Sequence, residues 1–280
     1  MSTDSRKTDG GKSYHTECTG DALVTVKAHE KEEDITLFGV RVWVAFEILG
    51  IPYKVDEVDP YKKPKELLEV SPKGLVPGLR FNRYNPPRSL NESTVILDFL
   101  EDLAVMNDKT RYFTSHTNPY ARGLARLQAD HINRTQTEEK QIEAGKEFHA
   151  SIEGLVALLE RAEREILGPA GGSGASGEGE LKLLRKGLGV WVPGTMSWDG
   201  QTVKFLGLYR AKVVLGRYRG FKLPQGERFN AWLSRLFAHP AFKATCSTDQ
   251  LYLDSYERYA FNRPNTSQVA NAINEGRSLP

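Results

Sequence analysis

The sequence predicts an α/β unit with a mixed four-stranded sheet, followed by an all-helical region. Three observations predict it. Short β-prone runs alternate with helical periodicity from residue 34 to residue 107. From Asn118 onward only helical patterns recur. No run approaches the ~18 consecutive apolar residues of a membrane-spanning helix. The 280 residues suit two domains at about 150 residues each. They can bury a core that needs no metal or disulfide staple. Lys and Arg number 38 against 36 Asp and Glu, a net of +2. A balance that even gives no overall field for nucleic acid or an anionic membrane. Cys18 and Cys246, the two cysteines, make neither a disulfide framework nor a cysteine-rich zinc site. The opening MSTDSRKTDGGK lacks an apolar signal region, so a cytoplasmic location is expected.

Residues 1–33 are polar and aperiodic and read as a mobile leader. Ile35 to Phe38 is short, apolar and β-prone, as in a buried strand. Val40 to Leu49 follows with helical spacing and stops at Gly50. Tyr53 to Val58 alternates like a strand, so the first pair of strands is parallel, joined by a one-helix crossover. Lys63-Pro64 opens a short helix, and Ser71-Pro72-Lys73-Gly74 breaks it. Leu75 to Phe81 and the stretch around Ser89-Leu90 are two further strands, joined by Asn82-Arg83-Tyr84-Asn85-Pro86-Pro87. A helix starts at Ser93, with Ile96, Phe99, Leu100 and Leu103 along one face. This α/β unit spans 34–107.

The helical domain spans 118–260. Ala121, Leu124, Leu127 and His131 mark one helix after Pro119. Phe148, Ile152, Leu155, Leu159, Ala162 and Ile166 mark a long amphipathic one. Residues 168–180, GPAGGSGASGEGE, read as a flexible loop inside this domain. Val203 to Leu215 and Arg228 to Thr245 continue the helices, with Pro240 kinking or restarting the last. Residues 261–280 form a polar tail. The histidines lack metal-ligand spacing, and Arg217, Arg219 and Lys222 read as a solvated basic patch.

One constellation carries candidate chemistry. Pro77 sits where a strand begins, because proline cannot donate to a ladder. A cis Val76–Pro77 bond turns the N–H and C=O of Val76 out of the sheet, free to pair with another extended peptide. Glu92 and Ser93 head the next helix, where unpaired N–H groups, the Ser93 hydroxyl and the helix dipole suit a carboxylate. Glu92 suits an ammonium group. Together these elements suit a short zwitterionic peptide. They equally suit a structural turn and an ordinary helix cap, and the local pattern leaves both open.

The series Lys63-Pro64, Gly74-Leu75-Val76-Pro77-Gly78-Leu79 and Asn91-Glu92-Ser93-Thr94-Val95-Ile96 resembles the thioredoxin-like half of cytosolic glutathione transferases, above all the omega-like class and its fungal members. Phe229-Asn230-Ala231-Trp232-Leu233 and His239-Pro240-Ala241-Phe242-Lys243-Ala244-Thr245 are similar to the last long helix of the same proteins. The resemblance implies a thioredoxin-like domain, glutathione as co-substrate, no metal, a homodimer, and a hydrophobic or electrophilic second substrate held between the domains. It also implies roles. Val76, ahead of cis-Pro77, pairs with the cysteinyl backbone of glutathione. Glu92 and Ser93 hold the γ-glutamyl group. Lys63 contacts the glycyl carboxylate.

The sequence departs from that pattern at the nucleophile. Omega-like members carry Cys-Pro-aromatic between the first strand and first helix, where the helix dipole stabilises a thiolate. Here Leu37-Phe38-Gly39 runs straight into Val40-Arg41-Val42-Trp43. No catalytic residue is assigned. Two functions stay open: a glutathione transferase performing thiol transfer, deglutathionylation or conjugation, and a non-catalytic carrier that has lost the nucleophile. Cys18 reads as a solvated bystander and Cys246 as a packing residue. So direct a connection predicts distortion or fraying of the first strand.

Overall fold

In the computed structural model the described residues are 15–40, 42–59, 63–107, 127, 144–162 and 206–261. Apart from Leu127, the helix expected between Pro119 and His131 lies outside them, as do the 168–180 loop and residues 262–280 of the tail.

Ile35–Phe38 forms β1, the strand on which the sheet is built, with all four side chains buried. It pairs in parallel with β2 (Lys54–Asp56) and antiparallel with β3 (Gly78–Phe81). β3 in turn pairs antiparallel with β4 (Arg88–Asn91), giving the order β2-β1-β3-β4. This is the mixed four-stranded sheet that the sequence predicts. Parallel neighbours need a crossover, and α2 (Trp43–Leu49) supplies it, burying Trp43, Val44, Ala45, Phe46 and Leu49. Gly50 ends α2 in the left-handed conformation. α3 (Lys65–Val70) follows Pro64, which stands just ahead of the helix in extended conformation. α4 (Ser93–Met106) packs Ile96, Leu97, Leu100 and Ala104 inward, the 3–4 spacing of an amphipathic helix.

The stretch read as a mobile leader contains a helix, α1 (Asp21–Ala28). Ala22, Thr25 and Val26, at i, i+3 and i+4, are its buried face. The Thr25 hydroxyl donates to the Ala244 carbonyl at 2.6 Å, and the Val55 N–H donates to the His29 carbonyl at 3.1 Å. His29 also stacks on Tyr53, with ring centroids 4.1 Å apart. Residues 21–29 are thus tied to both halves of the molecule.

The β1–α2 connection differs from expectation too. β1 is intact, and the helix gives way instead: Val40 to Val42, which the periodicity assigns to helix, leave α2 to begin at Trp43. A four-residue link of ordinary length results. Its distortion is concentrated at Gly39, where φ is 88° and a Cβ would stand 2.6 Å from Cβ of Val76.

In the helical half, α5 (Ala144–Ala162) buries Ile152 and Leu155. α6 (Leu206–Arg210) passes through a π-helical turn at Ala211–Leu215 into α7 (Gly216–Arg219). α8 (Glu227–Ala238) buries Phe229, Trp232, Leu233 and Leu236. Pro240 restarts the helix as expected: His239 caps α9 (Pro240–Ala244), its Nδ1 accepting from the Ala241 N–H at 3.2 Å. α10 (Asp249–Ala260) completes the set. One core cluster runs through both halves, from Leu37, Trp43 and Phe46 to Phe229, Trp232 and Phe242. No helix among the described residues is long and apolar enough to cross a membrane.

Two substitutions test this architecture by chemical denaturation. Thr25→Val orphans a buried carbonyl and is expected to cost about 1 kcal/mol; an unchanged midpoint would return α1 to a mobile leader. Gly39→Ala forces a side chain into a left-handed backbone against Val76, with an expected loss of about 1–3 kcal/mol. A silent Gly39→Ala would show that the link is slack.

Candidate functional site

Strand register assembles the site. Asp56, Phe38, Gly78 and Asn91 are paired in one row across the sheet. The next residues outward are Glu57, Gly39, Pro77 and Glu92, the rim at that end of the sheet. Neighbouring strands lie about 4.8 Å apart, so Pro77 and Glu92 are adjacent. Val76–Pro77 is cis, as the sequence reading required. Val76 is 40% exposed while Pro77 is buried. Local turn chemistry aims this loop. The Gly74 N–H donates to the Ser71 carbonyl at 2.6 Å, and the Leu75 N–H donates to Ser71 Oγ at 3.1 Å. Gly74 has φ of 61°, and the Lys63 side chain lies where its Cβ would be.

Glu92 is the one non-glycine among the described residues with positive φ, at 71°. Strained backbone of this kind concentrates at functional sites. Its carbonyl accepts from the Ile96 N–H at 3.0 Å, which makes it the cap of α4 and Ser93 the first helical residue. The Glu92 carboxylate is exposed, and neither it nor the Ser93 hydroxyl has a hydrogen-bond partner among the described residues. The first-turn N–H groups of a helix have no carbonyl partner inside it, and the dipole there favours an anion. An acceptor, a hydroxyl donor and a positive helix end therefore stand beside the open backbone of Val76. Lys63 is held near by, Nζ 3.5 Å from the Lys73 carbonyl. All five predicted residues fall in one region.

The same rim explains what is missing. Gly39, Val40 and Val42 present no thiol or hydroxyl where the sheet end meets α2. The two cysteines lie elsewhere, and both thiols are half-buried. Cys18 is no solvated bystander. Its N–H donates to Glu57 Oε1 at 2.5 Å, and the next residue, Thr19, bonds to Ser247 and Thr248. Burial, then Glu57 beside it, pushes the Cys18 thiol up to about 12. Burial does the same to Cys246, also to about 12, against the pull of Arg210. Neither is a thiolate at neutral pH, so neither replaces the absent nucleophile.

Gly39, which the sequence marks as the permissive residue between β1 and α2, takes the turn there. A surface hollow of about 500 Å³ between His149, Glu153, Val156 and the 222–225 loop holds none of the site residues.

Residues 37–103 match the family of the glutathione S-transferase N-terminal domain. A search of the curated proteins returns no match to the chain. Among solved structures it is similar to glutathione transferase Omega 3C from Trametes versicolor, with TM-score 0.60, 22% identity, and 83% of this chain and 97% of that one covered. It is similar to a rice GST in complex with glutathione, with TM-score 0.57, 20% identity, and 83% and 99% covered. The dehydroascorbate reductase of Chlamydomonas reinhardtii gives TM-score 0.52, 20% identity, and 81% and 99% covered. Identities this low speak for fold alone. The chain therefore carries a glutathione S-transferase N-terminal domain at residues 37–103, within the fold of the glutathione transferases.

Proposed function

We propose that this protein binds glutathione at the rim formed by Val76, Pro77, Glu92 and Ser93, with Lys63 toward the glycyl end, and acts as a glutathione transferase of the omega-like type. One observation carries the reading: an acid in strained backbone and a hydroxyl, neither with a hydrogen-bond partner among the described residues, head α4 beside the half-exposed Val76. A γ-glutamyl group needs that pairing, with Glu92 accepting from its ammonium and Ser93 and the α4 N-terminus donating to its carboxylate. The cysteinyl backbone then runs antiparallel to Val76. The complex of the rice GST supports glutathione as the ligand of this fold. The second substrate is a small hydrophobic or electrophilic molecule, the location is cytoplasmic and the assembly a homodimer.

The chemistry follows from the thiols. Reductive deglutathionylation through an enzyme thiolate needs a low-pKa cysteine at the rim. Both cysteines are held protonated, so conjugation by the thiol of bound glutathione is the route left to this chain. A non-catalytic carrier is the second reading, favoured by the lack of a hydroxyl or thiol at Gly39–Val42.

Calorimetric titration with glutathione tests the site. Glu92→Ala and Ser93→Ala are each expected to weaken binding by about 1–2 kcal/mol, the size of a charge-assisted hydrogen bond. Wild-type affinity in both variants removes the assignment, and binding without turnover of any electrophile selects the carrier. A second experiment addresses the thiols. A disulfide reagent should modify the native protein slowly at pH 7 and about tenfold faster per pH unit, with no plateau below pH 11, because the thiolate is the reactive form. Linkage gives the matching sign. Each folded-state pKa lies above the unfolded one, so the unfolded chain releases its thiol protons first and stability falls as pH rises from about 9 toward 12. A fast-reacting native cysteine at pH 7 would contradict both.

A further inference from the structure

The turn from Ser71 to Gly74 carries a glycine whose missing side chain is put to use. Gly74 is buried and stands at φ 61°. A Cβ there would lie 2.6 Å from Cδ and 3.0 Å from Nζ of Lys63. Carbon atoms in ordinary contact are about 3.5–4.0 Å apart, so the Lys63 side chain fills the space that any other residue at position 74 would need. Its ammonium rests 3.5 Å from the Lys73 carbonyl.

The turn is fastened on both sides of that glycine. The Ser71 N–H donates to the Leu67 carbonyl at 2.7 Å, at the end of α3. The Ser71 carbonyl accepts from the Gly74 N–H at 2.6 Å, and Ser71 Oγ accepts from the Leu75 N–H at 3.1 Å. Ser71 is only 4% exposed, so these bonds are shielded from water. Asn91 Nδ2 donates to the Val70 carbonyl at 3.3 Å, tying the end of α3 to the strand that leads to Glu92. With the backbone held in this way, an added Cβ displaces the flexible partner, Lys63.

Chain direction links this lysine to the ligand. A peptide lying antiparallel to Val76 carries its C-terminus back toward Leu75 and Gly74. Gly74 is two residues from Val76, at most ~7 Å of chain. The residue after the cysteinyl is therefore carried toward the place where Lys63 Nζ rests. The γ-glutamyl residue is carried the other way, toward Pro77 and Glu92.

We infer that Gly74 is a positioning residue: its bare backbone seats the Lys63 ammonium where the terminal carboxylate of the tripeptide arrives, so that the site selects glutathione over the dipeptide γ-glutamylcysteine. The dipeptide ends one residue earlier, and its carboxylate falls short of Lys63. The inference rests on the proposed glutathione site and adds what sets the length of its ligand.

Calorimetric titration of the full chain with glutathione and with γ-glutamylcysteine reads that preference. The wild type is expected to bind glutathione about tenfold more tightly, the worth of one charge-assisted hydrogen bond. Lys63→Met and Gly74→Ala should each bring the ratio toward one. The double variant should lose no more than either single change, because Gly74 acts through Lys63. Gly74→Asn puts the same Cβ against Lys63 in a residue that tolerates left-handed backbone, and it should behave like Gly74→Ala. Binding of the dipeptide reports that each variant is folded. Equal binding of the two peptides by the wild type overturns the inference whatever the variants do, and leaves the glutathione site in place. A preference that survives Lys63→Met or the Gly74 changes overturns it, as do additive losses in the double variant. Gly74 variants that lose both peptides alike overturn it too, since the glycine would then serve the fold and not the lysine. Failure of the wild type to bind either peptide removes the site, and the inference with it.

Discussion

The antiparallel pairing of Gly78 with Asn91 is the constraint from which the site descends. Because side chains alternate across a strand, a slip of one residue would send Leu79 and Phe81, both buried, to the opposite face. The hydrophobic core therefore fixes the register, and the register places the residues that follow at the rim. Pro77 thereby lands beside Glu92. Position and function are separable here: the core pins two strand ends, and the strand ends carry the polar groups.

The β1–α2 link shows how the same core limits what can be lost. Leu37 and Phe38 are locked between two neighbouring strands, and Trp43 through Phe46 are buried against the rest of the core. Neither flank can move far. The link therefore occupies the stretch before Trp43, where α2 begins. Gly39 absorbs the turn because it has no Cβ to meet Val76. No residue of the link offers a thiol or hydroxyl near the N-terminus of α2. Val42 is fully buried in the core, so the link is held by packing even though it carries no thiol or hydroxyl.

Legibility in the sequence followed the range of the physics. Pro77 at a strand start, Glu92-Ser93 at a helix head and His239-Pro240 at a helix restart each obey rules that act over three or four residues, and each was readable. α1 was not, because its buried face is Ala22, Thr25 and Val26, small or polar side chains that give little periodic signal. What holds it is made over long separations, from Thr25 to Ala244. Cys18 was misread for the same reason: its burial comes from Glu57 and from the bonds of Thr19 to residues 228 and 229 positions away. In α10 only Tyr252 contributes a buried ring, beside the buried Glu257 and Arg258.

Electrostatics sorts the chemistry of the sheet end. It offers an exposed acid at Glu92 and a helix N-terminus, groups that suit the two ends of a zwitterion. Away from that end, burial keeps the thiols of Cys18 and Cys246 protonated, which disqualifies both as nucleophiles at neutral pH.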